Sequence, residues 1–154
     1  MTNIDDLVHK LAQEYGTHRS NLLSVLQAVV AHERYLSEEA MLAVAREFNI
    51  SSAEVFGTAS FYTFLDTTPR GKNIVRVCKT IACHMKGKEQ LVAALEEALD
   101  VKIGGTTSDG AFTLLTASCL GWCHKGPVML VNNDVYPEMT PEAAIAIINK
   151  YRHQ

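Results

Sequence analysis

The sequence predicts an α/β protein: a helical N-terminal segment followed by a small mixed sheet covered by helices. Three observations carry this reading. Apolar residues recur with a helical period as far as residue 65. The turn-rich stretch Asp66-Thr67-Thr68-Pro69-Arg70-Gly71 then separates two regions of different character. Beyond it the pattern becomes strand, helix, strand, strand, turn, strand, helix. The boundary divides the chain into a helical domain over residues 1–70 and a sheet domain over residues 71–154.

In the first region, Asn3 or Thr2 caps a helix with Ile4, Leu7, Val8, Leu11 and Tyr15 on one face, and Gly16-Thr17 ends it. Ser20 opens a second helix whose stripe, Leu22, Leu23, Leu26, Val29 and Val30, is broad enough for deep burial. Ser37 opens a third, with Met41, Leu42, Ala45 and Phe48 inward. Ser51-Ser52-Ala53-Glu54 fits a capping box, Ser51 as the cap and Glu54 at the third helical position. A short fourth helix follows with Val55, Phe56 and Ala59. Phe56, Phe61, Tyr62 and Phe64 are expected to pack as core between the two halves; the competing reading is a partner-facing aromatic patch. His9, His18 and His32 have no ligand-like spacing and are expected on the surface.

In the second region, residues 73–77 (NIVRV) read as a strand that delivers Cys78. The Cys78–Lys86 loop leads into a helix over about 87–99, with Leu91, Val92, Leu95 and Leu99 as its apolar stripe. Gly104-Gly105 breaks the chain and Asp109-Gly110 marks a hairpin turn. Residues 112–117 form the next strand, which delivers Cys119. Residues 128–131 form a third, and Asn132-Asn133-Asp134 turns it back through Val135-Tyr136. Thr140 caps a final helix with Pro141 in its first turn and Ala144, Ile145, Ile147, Ile148 and Tyr151 along it.

Bulk properties remove several function classes. Of the 154 residues, 47% are hydrophobic and 20% charged, which suits a globular chain. A net charge of −3 offers no basic field for nucleic acid. No apolar run approaches the roughly 18 residues of a membrane span, so direct membrane insertion is not expected. The start, Met1 to Asp6, is acidic and has no apolar core of a signal peptide, which points to a cytoplasmic protein. In a reducing cytosol, cysteines are metal ligands more often than disulfides.

All four cysteines lie in two short runs: Cys78 and Cys83 as C-x4-C, Cys119 and Cys123 as C-x3-C. Both pairs fall just past strand ends, where open α/β sheets place ligands. Thiolates are soft ligands that suit iron–sulfur clusters, zinc and Cu(I). Neither pair is the C-x2-C knuckle usual for structural zinc or for thiol redox motifs. A [2Fe–2S] cluster, two thiolates per iron, fits the wider loops best. A structural zinc site, a thiol–disulfide redox pair and simple buried thiols stay open on spacing alone. Gly121 and Gly126-Pro127 let the second loop wrap closely, with amide N–H groups aimed at sulfur. Lys79, Lys86, Lys88 and Lys125 supply positive charge that favours the reduced form of a cluster whose formal charge is about −2 when oxidised. His84 and His124 follow cysteines directly; they are suited to bond sulfur rather than to replace a cysteine on iron. Trp122 reads either as a shield against water or as an exposed interface aromatic.

These residues resemble a known family. C-x4-C-H from Cys78, C-L-G-x-C from Cys119, the Gly126-Pro127 pair and N-D-x-Y from Asn133 to Tyr136 are similar to the thioredoxin-like [2Fe–2S] subunit of NADH dehydrogenases, the small flavoprotein-partner subunit of respiratory complex I. Homologous subunits serve soluble NAD-linked hydrogenases, electron-bifurcating ones included, and NAD-dependent formate dehydrogenases. The likeness extends through Asn21-Leu22-Leu23 to Val29, Leu36 to Ala40, Val55-Phe56-Gly57 to Phe61-Tyr62, and Tyr136-x-x-Met139-Thr140-Pro141-Glu142.

The resemblance implies a thioredoxin-like sheet domain and a [2Fe–2S] cluster on Cys78, Cys83, Cys119 and Cys123. It also implies a partner flavoprotein subunit that binds FMN and NAD(H), in a complex with further iron–sulfur or catalytic subunits. The small subunit would exchange single electrons with that flavin and hold no substrate site of its own. No G-x-G-x-x-G stands in this chain. Two departures matter. Ser118 stands where many relatives have an acid, and His124-Lys125-Gly126-Pro127 replaces a more acidic or Ala-Pro version. Both make the surroundings of the site less negative and imply a higher potential.

Overall fold

The structure is a computed structural model and describes residues 3–153. It divides into two compact units, the first ending at Pro69 and the second beginning at Arg70.

The first unit is helical: α1 (Ile4–Tyr15), α2 (Leu22–Glu33), α3 (Glu38–Phe48) and α4 (Ser52–Phe61). The starts follow cap chemistry. Asn3, Ser37 and Ser51 accept hydrogen bonds from the N–H groups of Asp5, Ala40 and Glu54. Thr2, the other candidate cap of α1, lies outside the described residues. Ser20 does not cap α2. It sits in a 3₁₀ turn, Arg19–Asn21, whose own cap is the His18 ring nitrogen. The capping box is half made, because the Glu54 carboxylate pairs with Arg19 instead of reaching back to Ser51. His9, His18 and His32 are exposed, and His9 bonds Glu47 and Gln13.

The core of this unit is Val8, Val25, Leu26, Val29, Leu36, Val44 and Val55, all fully enclosed. Each such side chain contributes about 1.5–3 kcal/mol by leaving water. Two inward assignments are corrected. Leu42 is 50% exposed, because Ala40, Val44 and Phe48 fill the buried face of α3. The aromatic group is not core: Phe56, Phe61, Tyr62 and Phe64 are all exposed, while α4 buries the smaller Val55 and Ala59.

The second unit is a four-stranded mixed sheet in the order β2-β1-β3-β4. Its strands are β1 (Asn73–Cys78), β2 (Phe112–Ala117), β3 (Met129–Val131) and β4 (Asp134–Tyr136). β1 runs parallel to β2 and antiparallel to β3, and β3 runs antiparallel to β4. The Cys78–Lys86 loop holds an unforeseen short helix, α5 (Ile81–His84). A parallel pair needs a long crossover, and the segment with α6 (Lys88–Leu99) supplies it. Asn132, at φ 55°, makes the turn after β3, and its side chain accepts from the N–H of Ile74.

Val75, Val77, Leu114, Met129 and Val131 meet Leu91, Leu95 and Leu99 of α6 and Ala144 and Ile148 of α7 (Pro141–Arg152). Thr140 caps α7 through Ala143 N–H. The hydroxyl of Tyr151 donates to Asp134 and lies 3.1 Å from that of Tyr136, tying α7 to β4. Among the described residues no helix is long and apolar enough to cross a membrane.

Candidate metal centre

Strand polarity builds the site. Cys78 ends β1 opposite Ala117, which ends the parallel β2, so both strands release the chain at one end of the sheet. Cys119 follows two residues later. Cys83 is brought back by α5, whose N-terminal residue before the first turn is Thr80. Thr80 makes no side-chain cap bond; its hydroxyl lies 3.1 Å from Cys78 Sγ.

The thiols form two close pairs at this end of the sheet, Cys78 with Cys83 and Cys119 with Cys123. Cys78 Sγ lies 3.1 Å from the carbonyl oxygen of Ser118, the residue before Cys119. Lys86 Nζ donates to the carbonyls of Cys123 and His124, at 3.2 and 3.0 Å, and so ties the two loops together. Cys119 and Cys123 Sγ are 3.4 Å apart. Among the described residues, no three His, Cys, Asp or Glu side chains gather as one ion would require; the thiols come in pairs.

Main-chain donors face the sulfurs. Gly121, at φ +81°, donates its N–H to Cys119 Sγ at 3.3 Å. Burial raises the Cys78 thiol, but bonds from the Thr80 hydroxyl and N–H, from Cys83 and from the Leu120 N–H outweigh it and hold it below the usual thiol range. Cys83 goes the other way: burial and its bond to Cys78 push it up, against the Val128 N–H. Cys123 is also raised, first by its bond and charge interaction with Cys119 and then by the charges of Cys78 and Cys83. Cys83 and Cys123 therefore resist ionisation without a metal; a metal would remove that resistance.

The residues fit a two-iron cluster. Two thiolates on one tetrahedral metal stand about 3.7 Å apart, given bonds of about 2.3 Å, and the outer pair is already near that spacing. A Cβ on Gly126 would stand 3.0 Å from Cys83 Sγ, so a larger residue there would crowd the sulfur. The surrounding charge is less positive than the lysines suggest. Lys88 pairs with Glu89 at 2.8 Å, and Glu89 also takes His84 at 3.0 Å. Trp122 is 38% exposed and stacks on His124, with ring centroids 5.9 Å apart. Thr80 and α5 escaped sequence reading; the usable signal was a threonine two residues after a cysteine and just before a short helix.

A small mixed sheet that brings four paired thiols to one end defines an iron–sulfur type of α/β protein. The profile of the thioredoxin-like [2Fe-2S] ferredoxin family matches residues 8–152. An NADH-quinone oxidoreductase subunit of Buchnera aphidicola subsp. Acyrthosiphon pisum (strain APS) is 36% identical over 138 residues, 90% of this chain and 85% of the relative. The corresponding NADH-quinone oxidoreductase subunit of Escherichia coli (strain K12) is also 36% identical over 138 residues, covering 90% and 83%. In fold, the chain resembles part of an NAD+-reducing [NiFe]-hydrogenase solved in the H2-reduced state. There the TM-score is 0.77 at 24% identity, over 87% of this chain and 22% of that one. The chain belongs to the thioredoxin-like [2Fe–2S] ferredoxin family, and its cofactor is a [2Fe–2S] cluster. The two relatives are subunits of NADH-quinone oxidoreductases, and electron transfer is the role this family membership supports.

Proposed function

We propose that the chain is the electron-transfer subunit of a multisubunit NAD(H)-linked oxidoreductase. In this reading Cys78, Cys83, Cys119 and Cys123 hold the cluster, and single electrons pass between it and the FMN of a partner flavoprotein subunit that binds NAD(H). The parent complex is an NADH dehydrogenase, a soluble hydrogenase, bifurcating or not, or a formate dehydrogenase, in the cytoplasm. Catalysis at a substrate belongs to the partners. Residues 1–70 and 71–154 act as separate domains.

The observation that carries this reading is the convergence of four thiols at one end of the sheet, with one pair open to the surface. When bound, the cluster supplies one-electron storage. The chain's own groups do the rest. Cys78 and Cys83 are enclosed by Val128 and Leu120, which keep water from the inner pair. The N–H groups of Gly121, Leu120 and Val128 and the Thr80 hydroxyl face sulfur and offset added negative charge. Ile81 and Met85, exposed at 71% and 80%, lie on and just after α5, and Trp122 flanks the other pair. Apolar side chains so exposed beside a redox site suit a docking face for the flavoprotein.

Anaerobic purification followed by dithionite reduction tests this. About two irons per chain and an S = 1/2 EPR signal are expected. Stoichiometric zinc, or no metal in protein kept from air, would overturn it. Co-purification with an FMN-containing subunit tests the partner.

A further inference from the structure

The four thiols are not equivalent. Cys78 and Cys83 are 1% and 0% exposed. Cys119 is exposed and Cys123 half-buried, with sulfurs 3.4 Å apart. A disulfide is about 2.05 Å long, so the outer pair must close by only about 1.4 Å. Little packing opposes a shift of that size, and the Lys86 bonds hold only the carbonyls of Cys123 and His124. Gly121 between them has positive φ and open space where a Cβ would stand, and Ser118, Trp122, His124 and Lys125 are exposed. The inner pair lacks this freedom. Cys78 ends a strand paired on both sides, its N–H bonded to the Val128 carbonyl at 3.1 Å. Cys83 Sγ is fully buried, so close to Gly126 that a Cβ there would stand 3.0 Å from it.

We propose that, in the chain without its cluster, Cys119 and Cys123 form a reversible disulfide by exchange with a low-molecular-weight disulfide, while Cys78 and Cys83 remain thiols. The outer pair thereby becomes a redox latch on cluster assembly. That consequence, though not the disulfide itself, rests on reading the four cysteines as cluster ligands.

The exchange proceeds in two displacements. The thiolate of Cys119, the more accessible sulfur, attacks one sulfur of the small disulfide; the S–S bond breaks, and one small thiolate leaves with the electron pair and takes up a proton. Cys123 then attacks Cys119 Sγ in the mixed disulfide and expels the second small thiol. Two protein thiols are oxidised by two electrons and one small disulfide is reduced to two thiols. Only the dithiol can supply thiolates to iron, so the oxidised chain accepts a cluster only after reduction.

The test uses the full chain, stripped of metal anaerobically with a chelator and incubated with increasing glutathione disulfide. The reaction is stopped with iodoacetamide in denaturant and the chain digested with trypsin. Cys119 and Cys123 then share one peptide, residues 103–125, whereas Cys78 and Cys83 lie on separate ones. Expected is loss of both alkylations from the 103–125 peptide, with a mass two hydrogens lower than the dithiol and recovery after dithiothreitol. Cys78 and Cys83 stay alkylated, and Cys123→Ser stops at a glutathione adduct on Cys119. Oxidation of Cys78 or Cys83 alongside or ahead of the outer pair overturns the proposal, as does an outer pair alkylated at every disulfide concentration. Separate anaerobic reconstitution of the reduced chain with ferrous iron and sulfide reads the ligand assignment: failure to take up iron overturns that assignment and the latch, while the disulfide is still decided by mass.

Discussion

Cys78 stands opposite Ala117 in register, each the last residue of its strand, and the two strands are parallel. Both connections therefore leave the sheet at the same end, and Cys119 needs only two more residues to reach the neighbourhood of Cys78. Had β2 run the other way, the length of a six-residue strand, about 20 Å, would separate the pairs.

The space beside Cys83 is the narrowest part of the site. Gly126→Ala places a methyl 3.0 Å from a sulfur that is itself fully buried. Overpacking of this kind costs about 1–3 kcal/mol. The variant is expected to lose iron faster to a chelator than the parent chain, measured by the decay of visible absorbance. Equal rates would show that the loop shifts freely.

Ser118 is exposed and directly precedes Cys119, and its carbonyl contacts Cys78. Ser118→Glu adds negative charge at the mouth of the site and disfavours the reduced form. The midpoint potential is expected to fall by an amount on the order of tens of mV, less at high salt. A redox titration that finds the potential unchanged or higher refutes this.

Thr80 aims its hydroxyl at a site sulfur, 3.1 Å from Cys78 Sγ. Thr80→Val keeps the shape and removes the donor. The potential should fall, because hydrogen bonds to sulfur favour the reduced cluster. In the cluster-free chain the Cys78 thiol should rise, since burial would then meet less opposition. Thiol titration by ultraviolet absorbance checks the second effect.

Leu95 is fully buried on α6 among Val75, Val77 and Leu114. Leu95→Ala leaves a cavity beneath the strands that carry Cys78 and Cys119. A loss of about 2–5 kcal/mol is expected in denaturant unfolding. A smaller loss would mean that the helix settles onto the sheet.

The turn before β2 depends on pH. A bond from the Thr107 hydroxyl, and then one from the Ala111 N–H, hold the Asp109 carboxyl below its ordinary value of 3.8. Its stabilising effect is therefore complete above that value and is lost as pH falls through the lower, folded-state pKa. Asp109→Asn should lower Tm at pH 7 and approach the parent chain at strongly acid pH. A Tm difference that persists unchanged into acid would refute it.

Local chemistry was legible residue by residue. Asn3, Ser37, Ser51 and Thr140 are caps as their neighbours imply, and Phe112–Ala117 is a strand with the expected limits. Ser20 misled because His18, two residues earlier, accepts its N–H and closes a 3₁₀ turn first. Leu42 and Phe56 sit near apolar faces by period, but their helix neighbours, Ala40, Val44 and Phe48 in α3 and Val55 and Ala59 in α4, complete the packing and leave them outside. The short α5 escaped because four residues are too few for a periodic signal.

By itself, then, the sequence determined the order and kind of the longer elements, the caps at Asn3, Ser37, Ser51 and Thr140, and the two cysteine pairs with their cluster-type spacing. Each of these depends on residues within a turn or two of one another. The tertiary structure alone decided that β1 and β2 run parallel, that both pairs follow strands ending at the same end of the sheet, and that Cys78 and Cys83 are buried while Cys119 is exposed. Those properties arise from contacts between residues about forty positions apart, as from Cys78 to Ser118. Pairing direction and burial are set by what each face meets across such distances, which no local pattern encodes.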